Sequence, residues 1–173
     1  MLRHPKAVAV GEIGLDYHYD FSPREVQKQR FYDQMALARQ LKKPVVIHSR
    51  EATADTLDIV RAFPDVTGVF HCYSGSWETA REILDRGWYL SFGGAITFKN
   101  ARRACKVVQK MPLERLLLET DCPYMAPEPH RGRRNSSLYL PLIAKKAAEL
   151  KGLSIEEIAE KTTENGQRLF GIR

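Results

Sequence analysis

Residues 43–50 read Lys-Pro-Val-Val-Ile-His-Ser-Arg. The apolar run at 44–47 is short, and a short apolar run bounded by polar residues is typical of a buried parallel strand. Amphipathic stretches at 23–41 and 52–63 flank it with the apolar spacing of surface helices. The stretch therefore predicts a strand between two helices, which is the repeating unit of an α/β fold.

The same alternation continues along the chain. Further short apolar runs predict strands at 7–10, 68–70, 88–92 and 116–118, with helices at 77–85 and 101–109 between them. Ser22-Pro23 and Ser76 are typical of helix N-termini. The fold class is therefore α/β with a parallel sheet, in a single domain over residues 1–173.

The pattern changes after Asp121. Residues 122–136 contain three prolines and a basic cluster, which predicts a long loop. Two or three helices are predicted to follow, at about 138–151, 155–162 and 164–169, the second of them begun by a capping box of Ser154 and Glu157. Five strands cannot close an eight-stranded barrel, so the chain is either an open doubly wound sheet or a barrel without its first units.

Composition limits the classes of function. The 173-residue chain has a formal charge of +6 and a pI of about 9.3, which suits an anionic partner such as DNA. No long apolar run or N-terminal h-region predicts a membrane span or signal peptide. Three widely spaced cysteines favour a reducing cytoplasm over a disulfide framework.

Metal-binding side chains follow four of the five predicted strands: Glu12, His48, His71 and Asp121. Side chains at the carboxyl ends of parallel strands converge on one face, where α/β active sites lie. Imidazole with carboxylate suits Zn²⁺ or Mn²⁺, and the carboxylates also accept Mg²⁺. The pattern predicts a site for one or two divalent cations, although each residue alone is also compatible with a structural role.

Seven segments that contain or adjoin these residues resemble the TatD family of metal-dependent hydrolases. They occur in the family's order and extend over nearly the whole chain. The segments are Val-Gly-Glu-Ile-Gly-Leu-Asp-Tyr at 10–17, residues 43–50, Phe-His-Cys-Tyr-Ser-Gly at 70–75, Ser-Phe-Gly-Gly at 91–94, Leu-Leu-Glu-Thr-Asp-Cys-Pro-Tyr at 117–124, Ala-Pro-Glu-Pro-His-Arg-Gly at 126–132 and Thr-Glu-Asn-Gly-Gln-Arg-Leu-Phe at 163–170.

The resemblance implies a distorted TIM barrel and hydrolysis of DNA phosphodiesters, typically from the 3′ end, by a water molecule that divalent metals activate. It implies that Glu12 bridges two metals, that His48 and His71 complete the second site, and that Asp121 binds the first metal and orients or deprotonates the water. The family's His-x-His motif is absent from this sequence. The resemblance therefore implies an N-terminally incomplete barrel, whose open strand edges a second copy or a separate N-terminal fragment would cover.

Three basic side chains are candidates for substrate contact. Arg50, His130 and Arg131 are expected to bind phosphate oxygens, with Arg50 pairing with Glu51 or Asp55 as the alternative. Tyr73 and Tyr124 are candidates for stacking on bases, with packing at the rim of the core as an equal alternative. Two other functions stay open at this point: hydrolysis of a small amide or ester, and a non-catalytic remnant that binds nucleic acid.

Overall fold

The computed structural model describes residue 2 and residues 4–172. The chain forms two compact units. The first contains the described residues up to Phe70 together with those from Leu169 onward, and the second contains His71–Arg168. Five strands occur in the described part of the chain, each followed by a helix or a helical turn, as the α/β prediction requires. The predicted single domain over residues 1–173 stays a prediction.

The first unit is a parallel β-α-β-α-β arrangement. Strand β1 pairs with β2, and β2 pairs with β3, both in parallel. The elements are β1 (Val10–Asp16), α1 (Arg24–Leu41), β2 (Val45–Arg50), α2 (Thr53–Arg61) and β3 (Gly68–Phe70).

Helix α1 packs on β1 through one face. Its buried residues are Phe31, Met35 and Ala38, spaced by four and three positions, which places them on one side of a helix. On the strand, Ile13 and Leu15 are buried, whereas Glu12, Gly14 and Asp16, which alternate with them, are not, and this is the two-residue period of a strand with one covered face. Truncating Phe31 to Ala would cost roughly 3–5 kcal/mol of stability, because it is fully buried.

The second unit contains one parallel strand pair and four helices. Strand β4 pairs with β5. The elements are α3 (Trp77–Asp85), β4 (Tyr89–Phe92), α4 (Arg102–Lys110), β5 (Leu116–Leu118), α5 (Leu140–Lys151) and α6 (Ile155–Phe170), with short 3₁₀ turns at Gly94–Thr97, Leu113–Arg115 and Ser137–Tyr139. The chain between Asp121 and Ser136 has no helix or strand, as predicted.

The predicted bounds of the first two strands were wrong. Strand β1 begins at Val10, where the predicted strand ends, and it continues to Asp16. Strand β2 likewise continues through His48 to Arg50. Pairing explains both extensions, because the ladder between the two strands runs as far as Asp16 opposite Arg50. Backbone pairing carries the strands past the point where the apolar run ends.

Of the two or three helices predicted at the end of the chain, the structure has two. The predicted boundary near residue 163 is absent, because residues 155–170 form one helix. Asn165 is buried inside α6, and its side-chain amide donates to the backbone oxygens of Leu113 and Leu116, at 2.8 and 2.9 Å. Gly166 has no side chain, and Cδ2 of Leu117 lies 3.8 Å from where its Cβ would be. Tertiary contacts therefore favour helix at an Asn-Gly pair that is locally typical of a turn.

Two of the three predicted helix caps are confirmed. The hydroxyl of Ser76 accepts from the backbone N–H of Thr79, at 3.2 Å. Ser154 and Glu157 form the reciprocal bonds of a capping box, at 2.8 and 3.1 Å. The prediction for Ser22-Pro23 was wrong, because Pro23 itself is the N-cap and no side chain caps α1. No helix in the described residues is long and apolar enough to cross a membrane.

Candidate metal centre

The first unit brings Glu12 and His48 together across neighbouring strands. His48 on β2 lies directly opposite Gly14 on β1. Gly14 has no side chain, and the two residues on its side of β1 are Glu12 and Asp16, one on each side of it. The imidazole therefore reaches both carboxylates: Nδ1 lies 3.0 Å from Oε1 of Glu12, and Nε2 lies 3.0 Å from Oδ2 of Asp16.

Gly14 is required at this position for two reasons. Its φ of +135° is a conformation that residues with a Cβ rarely adopt. A Cβ built there would lie 2.0 Å from the backbone oxygen of His48. The close approach of the strands at Gly14 is thus part of how His48 is positioned.

Asp16 is itself held in place by the backbone that follows it. Its Oδ1 accepts from the backbone N–H groups of His18 and Tyr19, both at 2.9 Å. Burial raises the pKa of Asp16, but the bonds from Tyr19, His48 and His18 outweigh this and keep the pKa below its usual value. Asp16 therefore stays ionised and accepts the Nε2 proton of His48, an arrangement typical of histidines that bind metals.

This geometry suits a cation at Nδ1 of His48. With the ring proton on Nε2, Nδ1 presents a lone pair towards the carboxylate of Glu12. The side chain of Glu12 is half-exposed, and two acceptor atoms at 3.0 Å attract a proton or a metal ion between them. A nitrogen and an oxygen donor together match the predicted donor set for Zn²⁺, Mn²⁺ or Mg²⁺.

The second unit gathers three residues around the half-buried carboxylate of Glu119. Oε1 of Glu119 accepts from the backbone N–H of Cys72 at 2.6 Å and lies 3.5 Å from Nδ1 of His71. Its Oε2 accepts from the hydroxyl of Ser91, at 2.8 Å. Burial raises the pKa of Glu119, but the bonds from His71, Cys72 and Ser91 hold the pKa below its usual value. Side-chain ligand atoms of His71, Cys72 and Glu119 lie within 4.8 Å of one another.

The thiol of Cys72 lies beside acidic groups. Burial raises its pKa most, and the negative charges of Glu119 and then Asp121 raise it further. The thiol is therefore protonated at neutral pH when no cation is bound. The same interactions place the carboxyl group of Asp121 close to Cys72, which adjoins His71.

The positions of the four predicted ligands differ from the expectation in one respect. His71 directly follows β3, and Asp121 lies just past β5, as predicted. Glu12 and His48 lie inside β1 and β2 instead of after them, because pairing extends both strands. The sequence analysis missed Asp16 and Glu119. The two-residue period of a strand places Asp16 on the same side as Glu12 and could have indicated it. Glu119 directly follows a predicted strand, and that position could have indicated it.

Of the three predicted phosphate contacts, Arg50 and Arg131 are exposed and His130 is half-buried. Arg50 is exposed, and its guanidinium lies over the ring of Tyr19, 5.0 Å from its centroid. The alternative partners of Arg50 have other contacts: Glu51 pairs with His18 at 2.8 Å, and Asp55 accepts from the hydroxyl of Tyr17 at 2.6 Å.

The cluster at residues 130–134 is called the basic loop below. His130 stacks on Tyr139 with ring centroids 4.3 Å apart, and the guanidinium of Arg131 lies 4.3 Å from the ring centroid of Phe98. Arg131, Arg133 and Arg134 are exposed. Aromatic neighbours thus orient the side chains of His130 and Arg131. All three arginines of the loop, Arg131 included, are exposed to solvent.

The two tyrosine candidates for base stacking have different surroundings. Tyr73 is 8% exposed, its ring packs edge-on against Phe92, and its hydroxyl donates to the backbone oxygen of Ser76. It is a core residue, which agrees with the packing alternative and not with a stacking surface. Tyr124 is 71% exposed and stays a candidate.

A buried asparagine fixes the loop between Asp121 and the basic loop. The side-chain amide of Asn135 donates to the backbone oxygens of Thr120 and Tyr124, both at 2.6 Å. Its own N–H donates to the backbone oxygen of Pro123 at 2.9 Å. These three bonds tie the far end of the loop to the residues on either side of Asp121.

Comparison with known proteins decides the family. The sequence profile described as TatD related DNase matches residues 1–171. The chain belongs to this family. Its fold is accordingly of the TIM-barrel-like metal-dependent hydrolase type, as the sequence predicted, and not an open doubly wound sheet.

Individual relatives agree with the family match. The chain is 50% identical over 171 residues to the uncharacterized metal-dependent hydrolase YabD of Bacillus subtilis strain 168, covering 98% of this chain and 67% of YabD. It is 35% identical to the 3′-5′ ssDNA/RNA exonuclease TatD of Citrobacter rodentium, covering 97% of this chain and 66% of that protein.

A solved structure shows the same fold. The crystal structure of YjjV, a TatD homologue from Escherichia coli K12, superposes with a TM-score of 0.91 at 33% identity, covering 98% of this chain and 66% of YjjV. This TatD-family chain thus spans about two thirds of the length of the relatives it matches.

Proposed function

We propose that this TatD-family chain carries catalytic residues of a metal-dependent deoxyribonuclease that hydrolyses phosphodiester bonds from the 3′ end of DNA. The observation that carries the proposal is the Glu12–His48 pair, with Nδ1 and Oε1 3.0 Å apart and Nε2 fixed by Asp16. The basic loop and the charge of +6 favour a phosphate polymer over a small amide or ester. The Citrobacter relative is named a 3′-5′ ssDNA/RNA exonuclease, which supports the same class of substrate.

The proposed metal ligands are Glu12 and His48 from the first unit, with His71 and Asp121 from the second. Their assignment follows the strand positions and the family motifs of the sequence. A bound divalent cation would neutralise phosphate charge and lower the pKa of water at the site. Glu12 and His48 would hold the cation, and the carboxylate of Asp121 would orient the attacking water and accept its proton.

Phosphate binding is assigned to Arg50, His130 and Arg131. Guanidinium groups bind phosphate oxygens in bidentate fashion. Exposed arginines are accessible to the phosphate groups of a substrate. Arg131 is oriented by Phe98, and His130 by Tyr139. These contacts would position the DNA backbone, while the ligands of the cation act on the scissile bond.

Release of nucleotides from 3′-end-labelled single-stranded DNA tests the proposal directly. The purified chain is assayed with Mg²⁺ or Mn²⁺ and again with EDTA, beside Glu12→Gln. Cleavage should require the metal and should fall at least about 100-fold in the variant, since a ligand oxygen becomes a neutral amide. Glu25→Gln is the matched control, because the Glu25 carboxylate is 85% exposed on α1.

Metal binding separates an inactive chain from a wrong assignment. Mn²⁺ binding is measured by calorimetry on the same three proteins. Binding that is lost in Glu12→Gln and kept in Glu25→Gln supports the ligand assignment even where turnover is slow. Equal Mn²⁺ affinity in all three proteins would contradict the assignment of Glu12, and cleavage that persists in EDTA would contradict the metal-dependent mechanism.

A further inference from the structure

Two aromatic rings lie open to solvent in the loop that follows β1. Phe21 is 91% exposed and Tyr19 is 56% exposed. Their rings are stacked, with centroids 5.3 Å apart and planes 6° from parallel. Phe21 is the most exposed large hydrophobic side chain of the described residues. Because Phe21 uses one face against Tyr19, its other face is free to contact a further planar group.

Side-chain bonds fix the loop that carries these rings. Oδ1 of Asp16 accepts from the N–H groups of His18 and Tyr19. The hydroxyl of Tyr17 donates to Asp55, and the ring of His18 bonds to Glu51, which directly follows β2. The aromatic pair therefore stands on an ordered backbone, and a preorganised surface loses little entropy when a ligand binds.

The same carboxylate links the pair to the candidate metal centre. Asp16 bonds His48 through Oδ2 and the aromatic loop through Oδ1. Arg50 lies over the ring of Tyr19, and its backbone lies opposite Asp16 in the register of β1 and β2. A planar apolar surface with a guanidinium beside it matches the two parts of a nucleotide, the base and the phosphate.

We propose that Tyr19 and Phe21 form a stacking platform for an unpaired base of a nucleic-acid strand, with Arg50 binding an adjacent phosphate. The substrate class rests on the proposed function, while the platform itself rests on the exposed ring pair. In a duplex both faces of a base are already stacked on its neighbours, so an open ring favours a single-stranded terminus. Stacking of a base on an aromatic side chain contributes about 1–3 kcal/mol to binding.

Binding without hydrolysis tests the platform separately from the enzyme. A fluorescently labelled single-stranded oligonucleotide is titrated in EDTA, and its Kd is measured by anisotropy for wild type, Phe21→Leu and Tyr19→Leu. Each variant should bind about 5- to 100-fold more weakly. Phe21→Trp should bind at least as tightly as wild type, because its ring is larger. Tyr32→Leu, with a ring 47% exposed on α1, is the control and should not change Kd.

A strand without bases identifies what the rings contact. The oligonucleotide is replaced by one of equal length whose nucleotides are abasic. Wild type should bind it as weakly as Phe21→Leu does, and the two proteins should no longer differ. Equal Kd values for wild type, Phe21→Leu and Tyr19→Leu with the normal strand would overturn the proposal, and so would absence of binding by wild type.

Hydrolysis of bis(p-nitrophenyl) phosphate by wild type with Mn²⁺ reports the enzyme alone, since this substrate has no nucleobase. No hydrolysis and no Mn²⁺ binding, together with ring-dependent oligonucleotide binding, would reject the proposed enzyme and leave the platform standing. Hydrolysis with ring-independent binding would reject the platform alone.

Discussion

Nε2 of His48 lies 3.0 Å from Oδ2 of Asp16, a residue on the neighbouring strand that is 32 positions away in sequence. The contact exists because His48 faces Gly14, and Asp16 is the next residue on the same side of β1. It assigns the ring proton of His48 to Nε2 and directs Nδ1 to Glu12. Glu119 has a comparable position beside His71 in the second unit. Each histidine of the candidate site thus has a carboxylate that orients it.

Asp16→Asn should weaken Mn²⁺ binding by about 10- to 100-fold. Its Oδ1 would keep the bonds from His18 and Tyr19, so Nδ2 would face Nε2 of His48 and donate to it. The ring proton would then move to Nδ1 and occupy the position where the cation binds. Calorimetry measures the affinity, and ¹⁵N chemical shifts of the imidazole report the tautomer. Unchanged affinity with a changed tautomer would show that Nδ1 is not the ligand atom.

Gly14→Ala should lower the free energy of unfolding by at least about 3 kcal/mol. The added Cβ would lie 2.0 Å from the backbone oxygen of His48, at a φ of +135°. Gly132→Ala is the matched control, because its φ is +84° and a Cβ would meet nothing within 4 Å. In the control the free energy of unfolding should fall by only about 1–2 kcal/mol, the conformational cost of a Cβ at positive φ. Urea unfolding measures both, and equal losses would contradict the close approach of the strands at Gly14.

Asn135→Ala should destabilise the protein by about 2–3 kcal/mol and loosen the loop after Asp121. The side chain is 3% exposed and satisfies the carbonyl groups of Thr120 and Tyr124, which would lose their partner. Trypsin should then cleave faster within the basic loop. Limited proteolysis followed by mass spectrometry measures this rate. Asn100→Ala, at an exposed position, is the control and should leave the cleavage rate unchanged. An unchanged rate in Asn135→Ala would contradict the role of Asn135 in fixing the loop.

Tyr17→Phe should change how stability depends on pH. The hydrogen bond from Tyr17 is the largest cause that lowers the pKa of Asp55. A carboxyl group with a lowered pKa in the folded state stabilises the protein above its unfolded pKa, and this stabilisation is lost as the pH falls through the folded pKa. Tyr17→Phe should therefore be less stable than wild type at pH 7, and the difference should shrink below about pH 4.

Two measurements check the Tyr17 prediction. Urea unfolding at pH 7 and at acidic pH gives the difference in free energy, and a carboxyl ¹³C titration should show a higher pKa for Asp55 in the variant. Tyr32→Phe serves as the control, because the Tyr32 ring packs edge-on against Phe63. An identical Asp55 titration in wild type and Tyr17→Phe would contradict the hydrogen bond as the cause.

The sequence by itself determined the order of strands and helices, the long loop after Asp121 and the four candidate ligands. These follow from local patterns: apolar periodicity, turn residues and short motifs, which are complete within about ten neighbouring positions. The sequence predicted the wrong ends for β1 and β2, because strand pairing extends both strands. It also predicted a break near the Asn-Gly pair inside α6, where buried hydrogen bonds outweigh the local preference for a turn.

Only the tertiary structure decided which side chains support the candidate site. Asp16 meets His48 across 32 positions, and Glu119 meets the backbone of Cys72 across 47. The side chain of Asn135 bonds to the backbone oxygen of Thr120, and the ring of Tyr19 stacks on that of Phe21. Local sequence patterns do not predict these contacts. Such contacts depend on the alignment of neighbouring strands and the path of a loop. Moving a strand by one residue turns every side chain to the other face, so its local sequence alone cannot specify them.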